Sequence, residues 1–395
     1  MDRRSKKFIL CINCGSSSLK FRIFNSRSLK MECEGRIDHI GNLESSFQII
    51  DQAGKFLINS TGHFQNVAAA INDIISWLKI NVKKYPLVAV GHRLIQGGPE
   101  HRAPEIITPE LLDILKRQIY LAPNHLPDEI NAIHSFKTAF KSIVHVACYD
   151  TLFHRNMPAC AKYYPLPAEY ADKGLIKYGF HGLSYEYVMK KLGSKIPAAK
   201  RRKIIIAHLG NGASMVAVKN GIGIETTMGI SPIGGLIMGT RSGDLDPGVL
   251  LFLLKEGHLT PDGLDDLLSK HSGLKAIGGT NDVQELLINE SKDPKAKLAL
   301  SVFCYTAQKY IGALAAAMGG LDMLIFTGGI GENSPVIRDR ICEDLEFLGI
   351  AIDPQSNQTS SEVISPLSNK VQVWVIPTNE EWMIAHHTSN FIDNN

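Results

Sequence analysis

Lys203-Ile204-Ile205-Ile206-Ala207-His208-Leu209-Gly210-Asn211-Gly212-Ala213-Ser214 decides how this chain is built. An apolar, β-branched run reads as a buried strand, and it passes through a small-residue turn, His208–Ser214, into a return strand at Met215–Lys219. The same order occurs near the start of the chain. Lys7–Ile12 is a buried strand, Gly15–Ser18 a turn, and Leu19–Phe24 alternates with period two as a half-buried strand. The two hairpins lie roughly 195 positions apart and share few letters. Similarity in kind at that spacing predicts an internal duplication.

Around these hairpins, strands and helices alternate. Asn66–Lys79 has apolar residues at helical spacing, and Pro109–Leu121 reads as a helix before the Pro-rich loop Ala122–Pro127. Leu87–Val90 and Ile143–Cys148 read as strands. In the second half, helices are expected at Pro247–Glu256, Lys295–Ala317, Pro335–Leu348 and from Glu380 to His387. Strands are expected at Met323–Thr327 and Val371–Ile376, with a turn at Gly328–Asn333. The class is α/β in two related halves, with no low-complexity linker between them.

Composition excludes several classes of function. Of 395 residues, 44% are hydrophobic and 21% charged, as in a globular protein. Lys plus Arg number 42 against 39 for Asp plus Glu, a net charge of +3, which is no footprint for nucleic acid. Apolar runs such as Val249–Leu254 and Leu324–Phe326 fall short of the roughly 18 residues of a membrane span. Basic Met1–Lys7 before Phe8–Ile12 imitates a signal peptide, but the apolar run is too short and no cleavage site follows. Seven cysteines make no disulfide framework, so a cytoplasmic location is expected. Cys11-x-x-Cys14 has no second pair for zinc and lies in a strand.

Three Gly-rich turns follow apolar strands: Asn13–Ser18, His208–Ser214 and Gly328–Asn333. Backbone N–H groups in such turns form concave anion sites, and glycine lets phosphate approach. No Gly-Lys-Ser/Thr occurs, and Gly329-Ile330-Gly331 lacks the third glycine of a dinucleotide fold. Arg93 and Arg241 sit among glycines, where a guanidinium suits carboxylate or phosphate or forms a structural ion pair. Asp150 ends a strand, as a catalytic acid or a helix cap. His181 is flanked by Gly179 and Gly182. Glu380 and Glu381 are ordinary first-turn acids, or with Asn13 would reach a phosphate-bound Mg²⁺.

Ile12-Asn13-Cys14-Gly15-Ser16-Ser17-Ser18-Leu19-Lys20 resembles the first signature of the acetokinase family. His208–Ser214, with Met228-Gly229 and Met238-Gly239-Thr240-Arg241-Ser242-Gly243-Asp244, resembles the second. Gly91-His92-Arg93, Tyr178-Gly179-Phe180-His181-Gly182, Phe326–Asn333 and Pro377-Thr378-Asn379-Glu380-Glu381 match in order, over about residues 8–387. The resemblance implies two duplicated ribonuclease-H-like, actin-like domains with an interdomain active-site cleft. They would be residues 1–152 with a C-terminal helix of about 381–395, and residues 153–380. It implies transfer from ATP to acetate, giving ADP and acetyl phosphate, in a homodimer, with no nucleic-acid or membrane partner.

By the same resemblance, Arg93 holds the acid, while Ile95, Asn124, Phe180 and Pro232 line its pocket. Arg241 and His181 meet the transferring phosphoryl group, and Asp150 takes the position usually given to proton transfer. Because a carboxylic acid is already ionised at neutral pH, orienting its neighbours suits Asp150 at least as well. ATP or ADP falls to Lys20, to His208, Leu209, Gly210, Asn211 and Gly212, and to Gly329, Ile330, Gly331, Glu332 and Asn333. Asp282, Val283 and Gln284 fall near adenine. Asn13 and Glu380 match the positions for Mg²⁺, with Mn²⁺ as the alternative.

The chain departs from the family pattern at Gln96, at Asn124-His125-Leu126, at Leu183-Ser184-Tyr185, at Gly234 and at Gln284. Ile95, bulkier than the usual Val, favours acetate over longer acids. The rival readings are a propionate or short-chain carboxylate kinase, and a non-catalytic actin-like ATP-binding module. A sugar kinase fits less well, because its neutral hydroxyl acceptor needs an Asp base rather than two arginines.

Overall fold

The computed structural model describes residues 6–15 and 17–392. Ser16 of the first turn, residues 1–5 of the basic leader and residues 393–395 of the expected C-terminal extension lie outside the described residues. The chain divides into two compact units, Met1–Leu152 with Asn379–Asn395, and Phe153–Thr378.

The first unit holds an eight-stranded sheet. Its strands are β1 (Phe8–Cys14), β2 (Ser18–Asn25), β3 (Met31–Asp38), β4 (Ser45–Asp51), β5 (Phe56–Gly62), β6 (Leu87–Leu94), β7 (Glu105–Ile106) and β8 (Val144–Tyr149), in the order β5-β4-β3-β2-β1-β6-β8-β7. β1 is buried along nearly all its length, which is why it reads as an unbroken apolar run. It pairs antiparallel with β2 and parallel with β6, and β6 pairs parallel with β8. Parallel neighbours need helical crossovers, here α1 (Val67–Ile80) and α2 (Leu126–Ala139). Asn66 caps α1 by accepting from the Ala69 N–H, and Val67, Ala70, Ile71, Ile74, Ile75 and Leu78 turn into the core with Leu10, Ile12 and Phe21.

The parallel strands β1, β6 and β8 end at one edge of the sheet, in Asn13-Cys14, Arg93-Leu94 and Tyr149 followed by Asp150. The carboxyl ends of parallel strands are where α/β sheets bind ligands. The C-terminal helix, Glu380–Ser389, packs on these strands and places its first turn with the same unit. Gly91 makes this packing possible. A Cβ there would lie 2.3 Å from Thr388 Oγ1 and 2.5 Å from Ile384 Cγ2.

The second unit has strands β9 (Lys203–Leu209), β10 (Ala213–Lys219), β11 (Ile222–Thr226), β12 (Met323–Thr327) and β13 (Gln372–Val375), in the order β11-β10-β9-β12-β13. β9 is antiparallel to β10 and parallel to β12, which is parallel to β13. Third, second, first, fourth, fifth is also the order of β3-β2-β1-β6-β8 in the first unit. The duplication expected from the two hairpins is therefore present as shared topology, the doubled pattern of an actin-like fold. Helices α3 (Gly182–Lys195), α5 (Pro294–Met318) and α6 (Gly328–Asn333) pack on this sheet, and α4 (Pro247–Lys255) and α7 (Pro335–Cys342) lie in the same unit.

Several expectations need correction. The third Gly-rich turn is the short helix α6, because Gly328 at φ +78° redirects the chain straight out of β12. The helix expected over Pro335–Leu348 ends at Cys342, and that over Pro109–Leu121 ends at Arg117 with a 3₁₀ turn beyond it. Helix α2 begins at Leu126 inside the expected Pro-rich loop: Pro127 falls in its first turn, where a missing N–H costs nothing.

Candidate active site

In the first unit, Arg93 is held on two sides. Its Nη2 donates to Asp150 Oδ2 at 2.8 Å and its Nη1 to Asn13 Oδ1 at 3.0 Å. Asp150 is completely buried, whereas the Arg93 side chain keeps 15% of its surface exposed. Arg93 Nε is buried with no hydrogen-bond partner among the described residues. Burial alone would lower the Arg93 pKa, but the carboxylates of Asp150, Glu380 and Glu129 override it and hold the cation firmly charged. Asn13 Nδ2 also donates to Glu381 Oε1 at 3.4 Å, and Glu381 pairs with Arg22 at 3.2 Å. Burial pushes the Glu380 carboxyl up to about 7, with Arg93 opposing and Asp150 and Glu381 reinforcing the rise.

Ile95 is buried just beyond β6, and its N–H donates to both oxygens of Glu129, at 3.2 and 3.1 Å. Asn124 and Lys20 are exposed. At Gln96, the side-chain oxygen accepts from the N–H groups of Gly97 and Gly98, both at 2.9 Å, so this departure from the family pattern is absorbed as a turn brace.

In the second unit, His181 stands before α3 in the left-handed region, at φ 58°. Its Nδ1 lies 2.8 Å from Ser214 Oγ, which is also bonded to the Tyr185 hydroxyl. The ring stacks on His208, centroids 4.2 Å apart. His208 Nδ1 lies 2.8 Å from Ser184 Oγ, and Ser184 accepts from Thr378 Oγ1 at 2.8 Å. Arg241 donates from Nη1 to the Pro232 carbonyl at 3.1 Å. Gly212 brings the two together: a Cβ there would lie 3.3 Å from His181 Nε2 and 3.6 Å from Arg241 Nη1. An imidazole and a guanidinium over a side-chain-free turn can accept an anion.

The turn His208–Gly212 neighbours α6, since a Cβ on Gly210 would fall 3.8 Å from the Gly329 N–H nitrogen. Gly329 and Asn333 are exposed, Ile330 and Glu332 half-buried, and Gly331 buried. The Glu332 carboxylate points inward, accepting from the N–H groups of Gly328 at 2.8 Å and Thr378 at 3.0 Å. Leu209 and Val283 bury their side chains in the protein, which leaves only their backbone for a ligand. Asp282 caps a helix by accepting from the Gln284 N–H at 2.8 Å, and Gln284 is exposed. Phe180 is buried and Pro232 half-buried.

The candidate residues thus fall into two sets. Asn13, Lys20, Arg93, Ile95, Asn124, Asp150 and Glu380 belong to the first unit, and the remainder to the second. Sequence reading missed the supports of both sets. Ser214 and Tyr185 orient His181, and Glu129 holds Ile95. Buried Arg338 on α7 donates to the carbonyls of Gly331 at 2.8 Å and Glu332 at 3.0 Å, pinning the end of α6. Glu129 carried a signal: Leu126, Ile130, Ile133 and Phe136 mark an apolar helix face, and Glu129 lies on it.

The sequence profile of the acetokinase family matches residues 8–386. An acetate kinase of Nitrobacter hamburgensis is 42% identical, over 97% of this chain and 96% of that protein. The crystal structure of Porphyromonas gingivalis acetate kinase superimposes with a TM-score of 0.87 at 36% identity, covering 97% of this chain and 99% of that one. A propionate kinase from Francisella tularensis gives a TM-score of 0.90 at 34% identity, with the same coverage. A match of this length, with the signature residues gathered at the strand ends, leaves one conclusion: the chain belongs to the acetokinase family.

Proposed function

We propose that this chain is an acetate kinase, which moves the γ-phosphoryl group of ATP onto a carboxylate oxygen of acetate and runs in reverse from acetyl phosphate and ADP. The observation that carries this reading is Arg93, a cation fixed on two sides with one buried donor to spare. A planar guanidinium suits a carboxylate acceptor. A neutral hydroxyl acceptor would need a carboxylate base, and Asp150 is already committed to Arg93 at 2.8 Å. Acetate is ionised at neutral pH, so no proton has to be removed from it.

Phosphoryl transfer is mostly positioning and charge stabilisation. Arg93 receives the acid, Asp150 and Asn13 hold Arg93, and Ile95, Asn124, Phe180 and Pro232 bound the acyl group. Arg241 and His181 offset the charge of the transferring group. The backbone of His208–Gly212 and Gly329–Asn333 cradles the nucleotide phosphates with Lys20, and Asp282–Gln284 face the base. Mg²⁺, or Mn²⁺ in its place, fits the hard oxygen donors of Asn13 and Glu380, since such ions take one or two protein oxygens beside substrate phosphates. Bound there, the ion would neutralise phosphate charge.

The proposal extends to a homodimer in the cytoplasm. No residue of α4 is buried, and Val249, Leu251 and Phe252 are 42%, 53% and 61% exposed, an apolar face that a second copy would cover. All seven cysteines are free, in keeping with a reducing compartment. No described helix is long and apolar enough to cross a membrane.

The test is ATP-dependent acyl-hydroxamate formation with formate, acetate, propionate and butyrate. Buried Ile95 leads us to expect the highest kcat/KM for acetate, with propionate roughly tenfold lower, because a misfitting methylene costs about 1–3 kcal/mol. A clear preference for propionate or butyrate overturns the acetate assignment. Nucleotide binding with no reaction on any acid overturns the catalytic one.

A further inference from the structure

Glu129 is an acid on the wrong face of a helix. It lies among Leu126, Ile130, Ile133 and Phe136 on the buried side of α2 and is 2% exposed. Carboxylates are rarely buried unless they are paired. Its bonding is unusual too: both oxygens accept from one N–H, that of Ile95, at 3.2 and 3.1 Å. Ile95 bounds the proposed acyl pocket and follows Arg93 by two residues. We propose that Glu129 is a positioning residue of the acid site, which fixes the backbone at Ile95 and sets how much negative charge a carboxylate substrate meets at Arg93. The inference rests on the carboxylate-kinase reading and adds to it a residue and a pH dependence.

Charge arithmetic gives the dependence its sign. The carboxylates that act on Arg93 are Asp150, Glu380 and Glu129, three on one guanidinium, and a bound substrate would be a fourth. The groups acting on Glu129 are Arg93 and the Ile95 N–H from β6, Asp150 beyond β8 and Asp128 on its own helix. The Cys14 thiol of β1 also feels its charge. The other elements against α2, namely α1 and Pro109–Arg117, bury only apolar side chains. Burial pushes the Glu129 carboxyl up to about 8, Arg93 and the Ile95 bond oppose the rise, and Asp150 and Asp128 add to it.

A raised pKa means that Glu129 is protonated below about 8 and ionises above it. Protonated, it still accepts from Ile95 through one oxygen and leaves the charge of Arg93 to the substrate. Ionised, it repels the incoming carboxylate. Acid binding therefore weakens as pH rises through that value, and above it each acid bound draws a proton onto Glu129.

The experiment is steady-state kinetics from pH 6.5 to 9 on the full chain and two variants. Glu129→Gln keeps an oxygen for Ile95 but cannot ionise. Glu129→Leu removes both features. For the natural chain, the acetate KM rises several-fold between pH 7 and 9. In Glu129→Gln the part of that rise centred near pH 8 disappears, leaving only the contribution of Glu380 nearer pH 7, while the ATP KM keeps the pH profile of the natural chain. Glu129→Leu, which leaves the Ile95 N–H buried and unpaired, loses roughly tenfold or more in kcat/KM for acetate at every pH.

Should a variant fail to fold, calorimetric binding of acetate to the natural chain, in buffers of different ionisation enthalpy near pH 8.5, reads the proton directly. Uptake of about half to three-quarters of a proton per acetate is expected, since part of Glu129 is already protonated at that pH. Identical acetate KM profiles in the natural chain and Glu129→Gln, or no proton uptake, overturn the proposal while leaving the kinase reading intact. A natural chain inactive on every acid overturns that reading, and this inference with it.

Discussion

Gly212 leaves open the space between His181 and Arg241. His181 is fixed by Ser214 and its stack on His208, so it cannot retreat freely from a methyl group 3.3 Å away, whereas Arg241, held by the Pro232 carbonyl, would meet it at an ordinary 3.6 Å. Gly212 does not adopt a positive φ, so alanine meets no backbone strain there. Gly212→Ala should therefore keep the thermal midpoint within a few degrees and lower kcat by roughly tenfold, since His181 must give by a few tenths of an ångström over the turn. Thermal melts and steady-state rates check it, and a kcat within threefold of the natural chain would contradict it. Glycine-rich settings singled out Arg93, His181 and Arg241 in the sequence, with a structural ion pair an equal reading for each arginine taken alone. That Asp150 is spent on an ion pair was not, because residues 57 positions apart meet only through the parallel register of β6 and β8.

Elements were legible where one period dominates. The hairpins of β1–β2 and β9–β10 and helix α1 each carry a single apolar pattern. Helix α2 was hidden because proline signals both loop and first helical turn, and hiding the helix hid Glu129. Burial alternates along β3 and β4, but Gly35 and Ser45 take buried positions there and β5 is mostly exposed, so the apolar alternation fades from the sequence towards the sheet edge. Helix α4 is the opposite case. Six consecutive apolar residues, Val249 to Leu254, promise a buried helix, yet none is buried within one chain. A second copy covering this face, as proposed, would resolve the mismatch. Sedimentation should find the natural chain at twice its chain mass and Phe252→Asp shifted to a single chain. A natural chain that sediments as a monomer at micromolar concentration would remove the dimer.

Across the whole molecule, the duplicated topology presents different residues at comparable strand ends. In the first unit β1, β6 and β8 present Asn13, Arg93 and Asp150, a set suited to an acid and a metal ion. In the second, β9 leads into the side-chain-free turn below His181 and Arg241, and β12 leads into α6, a set suited to phosphates. The proposed division of labour rests on Arg93 serving the acid and not the nucleotide. Arg93→Lys tests it most directly, since a lysine keeps a positive charge beside buried Asp150 but loses the fork that matches a carboxylate. Acetyl phosphate formation should fall at least a hundredfold, with ATP affinity within about threefold of the natural chain. Undiminished acetyl phosphate formation, or ATP affinity lost in step with activity, would contradict it.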